Sequence, residues 1–369
     1  MSMSQTITQP KTVSILGMEI TGPLIIAGPC SAETEEQVLS TAKQIASLRK
    51  AHIFRAGIWK PRTRPGSFEG AGSVGLEWLK KVKAETGLLT TVEIANVKHV
   101  SEALIYGVDV LWIGARTTVN PFSMQEIAES LQGVNIPVLV KNPINADLDL
   151  WIGAIERLQK AGITKLAAVH RGFSSYDKSQ YRNKPMWEIP IELKRRMPNI
   201  PIICDPSHIS GNKDLLLSIS QTAMDLDYQG LMIETHCNPS SALSDAKQQI
   251  TPAELGKLLS QIIIRTSSTE DKIFLSTLED LRDKIDELDN NLITMLGTRM
   301  EMARAIGACK KQNGVTILQN SRWNEIVQER TKQGMKKQLT ADFMMKLFEI
   351  IHQESIHHQK QVMQDGKEK

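Results

Sequence analysis

A chain of 369 residues, 41% hydrophobic and 23% charged, can bury one large core and a second smaller one. A net charge of +3, with no basic run or aromatic-studded basic stripe, excludes bulk nucleic-acid binding. The opening MSMSQTITQPKTV has no charged-then-apolar leader pattern, and no run approaches the ~20 apolar residues that span a bilayer, so a cytoplasmic protein without membrane contact is expected.

In chain order, residues 23 to 236 contain eight short Val/Ile/Leu-rich runs: PLIIAGPCS, AHIFRAG, LLTTVEI, DVLWIGA, PVLVKNP, KLAAVHRG, PIICDPSH and GLMIETH. Helical stretches such as EEQVLSTAKQIASLRK and DLDLWIGAIERLQKAG separate them. Continuous apolar strands alternating with amphipathic crossover helices predict an α/β fold with a parallel sheet, and eight such units close a (β/α)8 TIM barrel. A doubly wound open sheet is the alternative, but it would not gather all eight strand ends around one centre. Those ends carry Cys30, Arg55, Glu93, Arg116, Lys141, Arg171, His208 and Glu234, so the chemistry is expected on one rim. The barrel is assigned to residues 1–266 with a short N-terminal extension, and 267–272 to a linker within the polar stretch RTSSTEDK.

Residues 273–369 are predicted to form a small all-helical domain. Apolar residues fall at 278, 281, 285, 288, 292 and 295 or 296, in alternating steps of three and four, and no Pro occurs after Pro252. One helix over 272–311 would be roughly 60 Å long and could not bury its seam within its own chain. An intertwined homodimer through this domain is therefore expected, with larger assemblies left open. Two shorter helices should follow over 320–334 and 340–362, with Gly314 and QGMKKQ as breaks.

Several side chains on the rim have metal-ligand or anion-binding chemistry. Cys30, His208, Glu234 and Asp245 combine a thiolate, an imidazole and two carboxylates, a set that suits Mn, Fe, Co or Zn better than Mg or Ca. No CxxC or HExxH spacing supports a metal, so placement on one rim carries this reading against the alternative of buried structural residues. Cys204, Cys237 and Cys309 read as structural thiols, since four scattered cysteines make no disulfide framework. Arg55, Lys60, Arg62, Arg116, Lys141 and Arg171 would repel one another unless anions neutralise them. Singly each would read as solvated surface. Together they predict a site for phosphorylated, carboxylated small molecules.

In the helical region, the three-four seam extended from 292 and 295 lands on Arg299. A stutter through Leu296 and Met300 would instead leave it at the edge. Arg282, Lys310 and Arg322 are further cations, and Ser355 and Gln359 lie one turn apart on the last helix. Cations with neutral hydrogen-bonding groups suit a dicarboxylate whose reaction needs no acid, base or nucleophile. His352, His357 and His358 read as solvent-exposed, with no ligand spacing.

The strings GPCS, KPRT, GAR, VKNP, HRG, DPSH, ETH and NPSSALSDAKQ, in this order over residues 13–264, resemble 3-deoxy-D-arabino-heptulosonate-7-phosphate synthase (DAHP synthase) of the class I beta type. The resemblance implies condensation of phosphoenolpyruvate with erythrose 4-phosphate, the first committed step of the shikimate pathway. It implies one divalent metal per barrel, Mn first with Fe, Co or Zn as alternatives, held by Cys30, His208, Glu234 and Asp245. It assigns Arg116, Lys141 and Arg171, helped by Arg55 and Lys60, to phosphoenolpyruvate, and Lys60, Arg62 and Thr63 to erythrose 4-phosphate. In the mechanism that follows, the metal polarises the aldehyde oxygen, C3 of the enol phosphate attacks, water adds at C2 and phosphate leaves with C–O cleavage. Lys60 is then the expected proton donor to the new alkoxide. A related synthase that uses arabinose 5-phosphate carries Asn-Arg-Ser after the Lys, where this chain has Pro61, Arg62 and Thr63, so the shorter aldose is expected.

LEDLRDKIDELDNNLITMLGTRMEMARAIGACK, with the residues that follow it, resembles the all-helical chorismate mutase family across residues 273–362. That resemblance implies rearrangement of chorismate to prephenate. Arg282 of the partner protomer, Arg299 and Arg322 would hold the carboxylates, Lys310 and Gln359 would donate to the ether oxygen, and Ser355 would assist near a carboxylate. The reaction is pericyclic, so preorganised donors are the whole device. Gln319 stands where members often have Asp, and Trp323 where many have a Glu that binds the substrate hydroxyl, so weaker substrate binding is an expected consequence. The alternative is a non-catalytic dimerisation and regulatory module. Both roles together are expected, with prephenate as inhibitor of the barrel.

Overall fold

A computed structural model describes residues 12–60, 66, 68–176, 179–266, 269–318 and 320–364. Two compact units meet in the chain between Ser267 and Ser268.

Strands β1 (Thr12–Ile15) and β2 (Met18–Thr21) form an antiparallel hairpin. The barrel strands are β3 (Leu24–Gly28), β4 (Ile53–Arg55), β5 (Leu89–Ile94), β6 (Val110–Ile113), β7 (Val138–Lys141), β8 (Leu166–His170), β9 (Ile202–Cys204) and β10 (Gly230–Glu234). They close in sequence order, β10 pairing with β3, and every pairing is parallel. The eight strands lie within the eight predicted runs. Each is buried on both faces, by the barrel interior and by the helices outside, which is why its sequence is continuously apolar rather than alternating.

The hairpin lies within the short N-terminal extension. Its turn places Leu16 at φ 56° and Gly17 at φ 79°, and Leu at a positive φ conceals the turn from a search for Asn-Gly or Asp-Gly. Ile15, Leu16 and Ile20 join the interior cluster of Leu24, Val110 and Trp112. Leu24 and Val110 begin their strands, so the hairpin stoppers the N-terminal end and leaves the C-terminal rim for ligands. At that rim the β3 and β4 backbones pass so closely that a Cβ on Gly28 would lie 2.1 Å from the Arg55 carbonyl oxygen. Outside the barrel, Thr34 caps the helix Glu35–Ser47, and Thr251 with Glu254 forms a capping box on Pro252–Gln261.

The second unit consists of helices Lys272–Gln312, Asn320–Lys336 and Ala341–Gln364. The first has 41 residues, and only its C-terminal part has buried residues, Met300, Ala303 and Gly307. Along its earlier turns Leu281, Ile285, Leu288 and Leu292 remain 52%, 55%, 66% and 48% exposed. This is the seam predicted from periodicity, and it is left exposed among the described residues. The seam does step through half-buried Leu296 and buried Met300, as the stutter required. No helix among the described residues is long and apolar enough to cross a membrane.

Candidate active sites

The barrel rim gathers a donor group from widely separated strand ends. Cys30 follows β3 and is fully buried. Its backbone N–H donates to Gln249 Oε1 at 3.0 Å, and its thiol donates to Asp245 Oδ2 at 3.2 Å. Glu234 ends β10, held by Arg55 Nη2 at 3.1 Å on Oε1 and Gln248 Nε2 at 2.6 Å on Oε2. One donor atom from each of Cys30, Glu234 and Asp245 lies within 4.8 Å of the other two. His208, on the short helix Pro206–Ser210 after β9, borders this group with Nε2 3.7 Å from Glu234 Oε1. Its Nδ1 lies 2.8 Å from Asp205 Oδ2, at ion-pair distance but without hydrogen-bond geometry.

Electrostatics within this group are strong. Burial, then Glu234, pushes the Cys30 thiol up to about 12. Glu234 sits below the usual carboxylate range because His208 and Arg55 outweigh the effect of its burial, and Asp245 is lowered against burial by Arg182 and His208. Burial holds the His208 imidazole below its ordinary value despite Asp205 and Glu234. Three acidic donors and a neutral imidazole converging in a dry pocket form a suitable cradle for a divalent cation.

The cations surround that cradle. Lys60 Nζ donates to Cys30 Sγ at 2.7 Å and to the Cys30 carbonyl at 2.9 Å. Next to it, Trp59 stacks on His99 with centroids 3.9 Å apart, anchoring the exit of β4. Lys141 Nζ bonds Asp205 Oδ2 at 2.8 Å. Arg55 and Lys141 both face the Trp112 ring, at 5.0 and 5.8 Å. Arg55 has buried Nε and Nη1 groups without a hydrogen-bond partner, donors that an anion would satisfy. Arg171 is held by its backbone N–H on Asn142 Oδ1 at 2.7 Å and its Nη1 on Asn183 Oδ1 at 2.9 Å, and burial brings it down to about 10. Arg116 is exposed on the short helix Ala115–Thr118 after β6. Arg62 and Thr63 lie outside the described residues.

Three groups at this mouth were not singled out from the sequence. Asp205 links Lys141 to His208, and its place in DPSH was the available signal. Arg182 reaches Asp245 at 3.0 Å and Gln248 at 2.7 Å from an irregular loop, where no periodicity points to it. Asn142, within VKNP, crosslinks the β7 and β8 exits by also donating to the Gly172 carbonyl at 2.9 Å. Glu93 is on the rim, but its carboxylate accepts Trp112 Nε1 at 3.1 Å and lies against Gly114, where a Cβ would meet it at 2.1 Å.

The helical unit has a cavity of about 310 Å³ lined by Arg299, Lys310, Trp323, His352, Ser355 and Gln359 together with apolar side chains. Arg299 hydrogen-bonds the Ser355 hydroxyl, and Lys310 Nζ donates to the Ile317 carbonyl at 2.6 Å. Arg299 therefore faces the cavity rather than resting idle at the seam's edge. Arg282 does not line this cavity. It precedes Arg299 on the same helix by about 25 Å of axial rise and pairs only loosely with Glu279, at 3.9 Å. Arg322 lies in the first turns of the second helix, its side chain outside the described groups, and Gln319 is likewise outside.

His352 corrects the expectation of solvent exposure. It lines the cavity and stacks on Trp323 with centroids 4.1 Å apart and planes at 14°. Positions 352, 355 and 359 share one helical face, a relation that would have revealed it from Ser355 and Gln359. His357 is exposed as expected, while His358 is half-buried and lies 3.2 Å from Glu354.

Comparison with known proteins finds a family match for each unit. Residues 10–270 match the family described as DAHP synthetase I, and residues 281–360 match chorismate mutase type II. A phospho-2-dehydro-3-deoxyheptonate aldolase of Thermotoga maritima is 33% identical over 226 residues, 61% of this chain and 64% of that protein's length. The chain thus spans less than two thirds of that relative. A 2-dehydro-3-deoxyphosphooctonate aldolase of Variovorax paradoxus is 29% identical over 68% of this chain and 93% of its own. The crystal structure of the Thermotoga maritima DAHP synthase superposes with a TM-score of 0.61 at 29% identity, covering 69% of this chain and 72% of that one. A truncated form of the 3-deoxy-D-arabino-heptulosonate 7-phosphate synthase from the same organism gives 0.58 at 26% identity, over 70% and 92%. With well over half of its length matched, the chain belongs to the DAHP synthetase I family and carries a type II chorismate mutase segment behind its barrel.

Proposed function

We propose that the chain is a bifunctional shikimate-pathway enzyme. Its barrel condenses phosphoenolpyruvate with erythrose 4-phosphate to 3-deoxy-D-arabino-heptulosonate 7-phosphate and phosphate, and its helical unit rearranges chorismate to prephenate. The observation that carries the first activity is the convergence of Cys30, Glu234 and Asp245 beside Arg55, whose buried guanidinium donors have no partner. The 33% identical relative named a phospho-2-dehydro-3-deoxyheptonate aldolase, a seven-carbon rather than eight-carbon product, and the Pro61-Arg62-Thr63 sequence favour this aldose over arabinose 5-phosphate.

The donor set fits one divalent ion held by Cys30, His208, Glu234 and Asp245, with Mn the best match and Fe, Co or Zn compatible. When bound, such an ion supplies a Lewis acid for the aldehyde oxygen. The chain's own residues do the rest. Arg171 and Lys141, with Arg116 at the rim, receive the phosphate and carboxylate of phosphoenolpyruvate in the partly buried mouth. Arg55 adds its free donors to the same anion. Arg62 and Thr63 are assigned to erythrose 4-phosphate. A new C–C bond joins C3 of the enol phosphate to the aldehyde carbon, water adds at C2, and the C2–O bond to phosphate breaks. Lys60 delivers the proton to the new alkoxide. Its Nζ stays charged because Cys30 and Glu234 raise its pKa against the effect of burial. Lys60→Met should lower condensation turnover by about 10²–10⁴-fold. Metal content, read by atomic emission, should stay unchanged; near-normal turnover would remove Lys60 from this role.

In the helical cavity Arg299 and Lys310, with Arg322 and the partner's Arg282, hold the two carboxylates of chorismate. Lys310 and Gln359 then favour the charge that develops on the ether oxygen, with Ser355 beside a carboxylate. The exposed seam supports a homodimer. Leu288→Glu would place two charges in the apolar contact, so sedimentation should show monomers at micromolar concentration, and an unchanged dimer would rule out that seam. Prephenate bound in the cavity is the proposed feedback signal, by the reciprocal coupling of two ligand sites. Measuring both product-forming rates on the intact chain tests the assignment. A chain that forms only the heptulosonate would reduce the helical unit to a regulatory module.

A further inference from the structure

The helical cavity contains two buried polar atoms with no hydrogen-bond partner, His352 Nε2 and Gln359 Oε1. Buried polar groups are normally satisfied, so an orphan pair lining one cavity points to a ligand that completes them. The mutase reading uses Gln359 as a donor through its amide nitrogen, which leaves Oε1 as an acceptor, whereas His352 has no role there.

His352 belongs to the third helix, one face with Ser355 and Gln359. Trp323, from the second helix, lies flat against the imidazole and fixes its plane. Burial, then Arg299 and Lys310 of the long helix, hold its pKa below the ordinary histidine value. The ring is therefore neutral near pH 7, with one N–H and one lone pair. Carboxylates entering this cavity have better partners in Arg299 and Lys310. The imidazole is left for a neutral group that can both donate and accept, and a hydroxyl does both whichever tautomer is present. Among the described lining residues no Asp or Glu faces the cavity, so no carboxylate competes for that hydroxyl.

We propose that His352, clamped by Trp323, is a specificity-determining residue whose Nε2 hydrogen-bonds the ring hydroxyl of the dicarboxylate ligand. This rests on the mutase reading of the cavity and replaces the expectation of weakened binding at Trp323 with a different recognition device.

The test uses the intact chain, chorismate, and a chorismate analogue lacking the ring hydroxyl. Binding is measured by calorimetry and prephenate formation by absorbance. The wild type should bind the deoxy analogue about 10- to 100-fold more weakly than chorismate. In His352→Leu the discrimination should collapse to within threefold, the chorismate KM rising by a similar factor while kcat changes less than about threefold. His352→Gln, which keeps a donor and an acceptor, should recover a large part of it. Circular dichroism confirms that each variant retains its helices. A Leu variant that discriminates as strongly as the wild type overturns the proposal, as does a wild type that binds both compounds equally. If the wild type discriminates through His352 yet forms no prephenate, the catalytic reading fails while the recognition role stands. If chorismate does not bind at all, both fall.

Discussion

Treatment of the intact chain with EDTA should abolish condensation while leaving the chorismate rearrangement at its untreated rate. The two sites differ in donor chemistry. In the barrel, Cys30, Glu234 and Asp245 bring a thiol and two carboxylates within 4.8 Å of one another. Two carboxylates with a thiol between them form a donor set that a divalent cation would fill, displacing the thiol proton. Arg55 on Glu234 and Lys60 on Cys30 hold these groups in place from one side. In the helical cavity the lining groups are cations, hydroxyl, amide and imidazole, and a pericyclic reaction requires no Lewis acid. Removing the cation should thus cost the first reaction on the order of 10³-fold or more, and Mn²⁺ should restore it. Cys30→Ala should give the same phenotype irreversibly, with metal content falling in parallel. The sign with pH is also fixed. Without a cation, burial and Glu234 hold the thiol proton up to about 12, so binding must displace that proton. Metal uptake should then strengthen as pH rises and release a proton to weakly buffered solution. Equal inhibition of both reactions by EDTA, or unimpaired condensation in the Cys30 variant, would refute the metal site.

What could be read from the sequence follows from what the physics repeats. Barrel strands are buried on both sides, so PVLVKNP or GLMIETH is apolar without alternation and recurs eight times with a helix between. The rim was legible for the same reason: each strand ends at the mouth, so a polar residue at its end faces the centre. The N-terminal hairpin escaped because Leu16 takes the left-handed conformation usually left to Gly or Asn. Arg182 and Gln248 meet Asp245 and Glu234 from irregular segments, where no period relates sequence to space. His352 escaped for a different reason. Along the sequence it neighbours His357 and His358, whereas helical geometry groups it with Ser355 and Gln359. The long helix was legible because an apolar seam without a partner in its own chain is itself a signal, and its exposed Leu281, Ile285, Leu288 and Leu292 remain the strongest mark of a second copy.

That second copy should be demonstrable by complementation. Arg299 lines the cavity, whereas Arg282 lies about 25 Å along the same helix, so in the proposed dimer the carboxylate clamp would be completed by Arg282 of an antiparallel partner. Arg299→Ala and Arg282→Ala should each reduce prephenate formation by about 10²–10³-fold, the usual cost of removing one preorganised charged donor. Heterodimers that pair one variant with the other differ from either homodimer. In one of their two cavities Arg299 is intact and the partner contributes an intact Arg282; in the other both are missing. Two-fold symmetry then predicts about half the wild-type rate per dimer, recovered from two nearly inactive parents. Co-expressing the two variants with different affinity tags and purifying on both in turn isolates the mixed species. Heterodimers no more active than their parents would place both arginines in one protomer's site or remove Arg282 from catalysis. Condensation, which uses neither residue, should remain at the wild-type rate throughout and serves as the internal measure of how much folded chain is present.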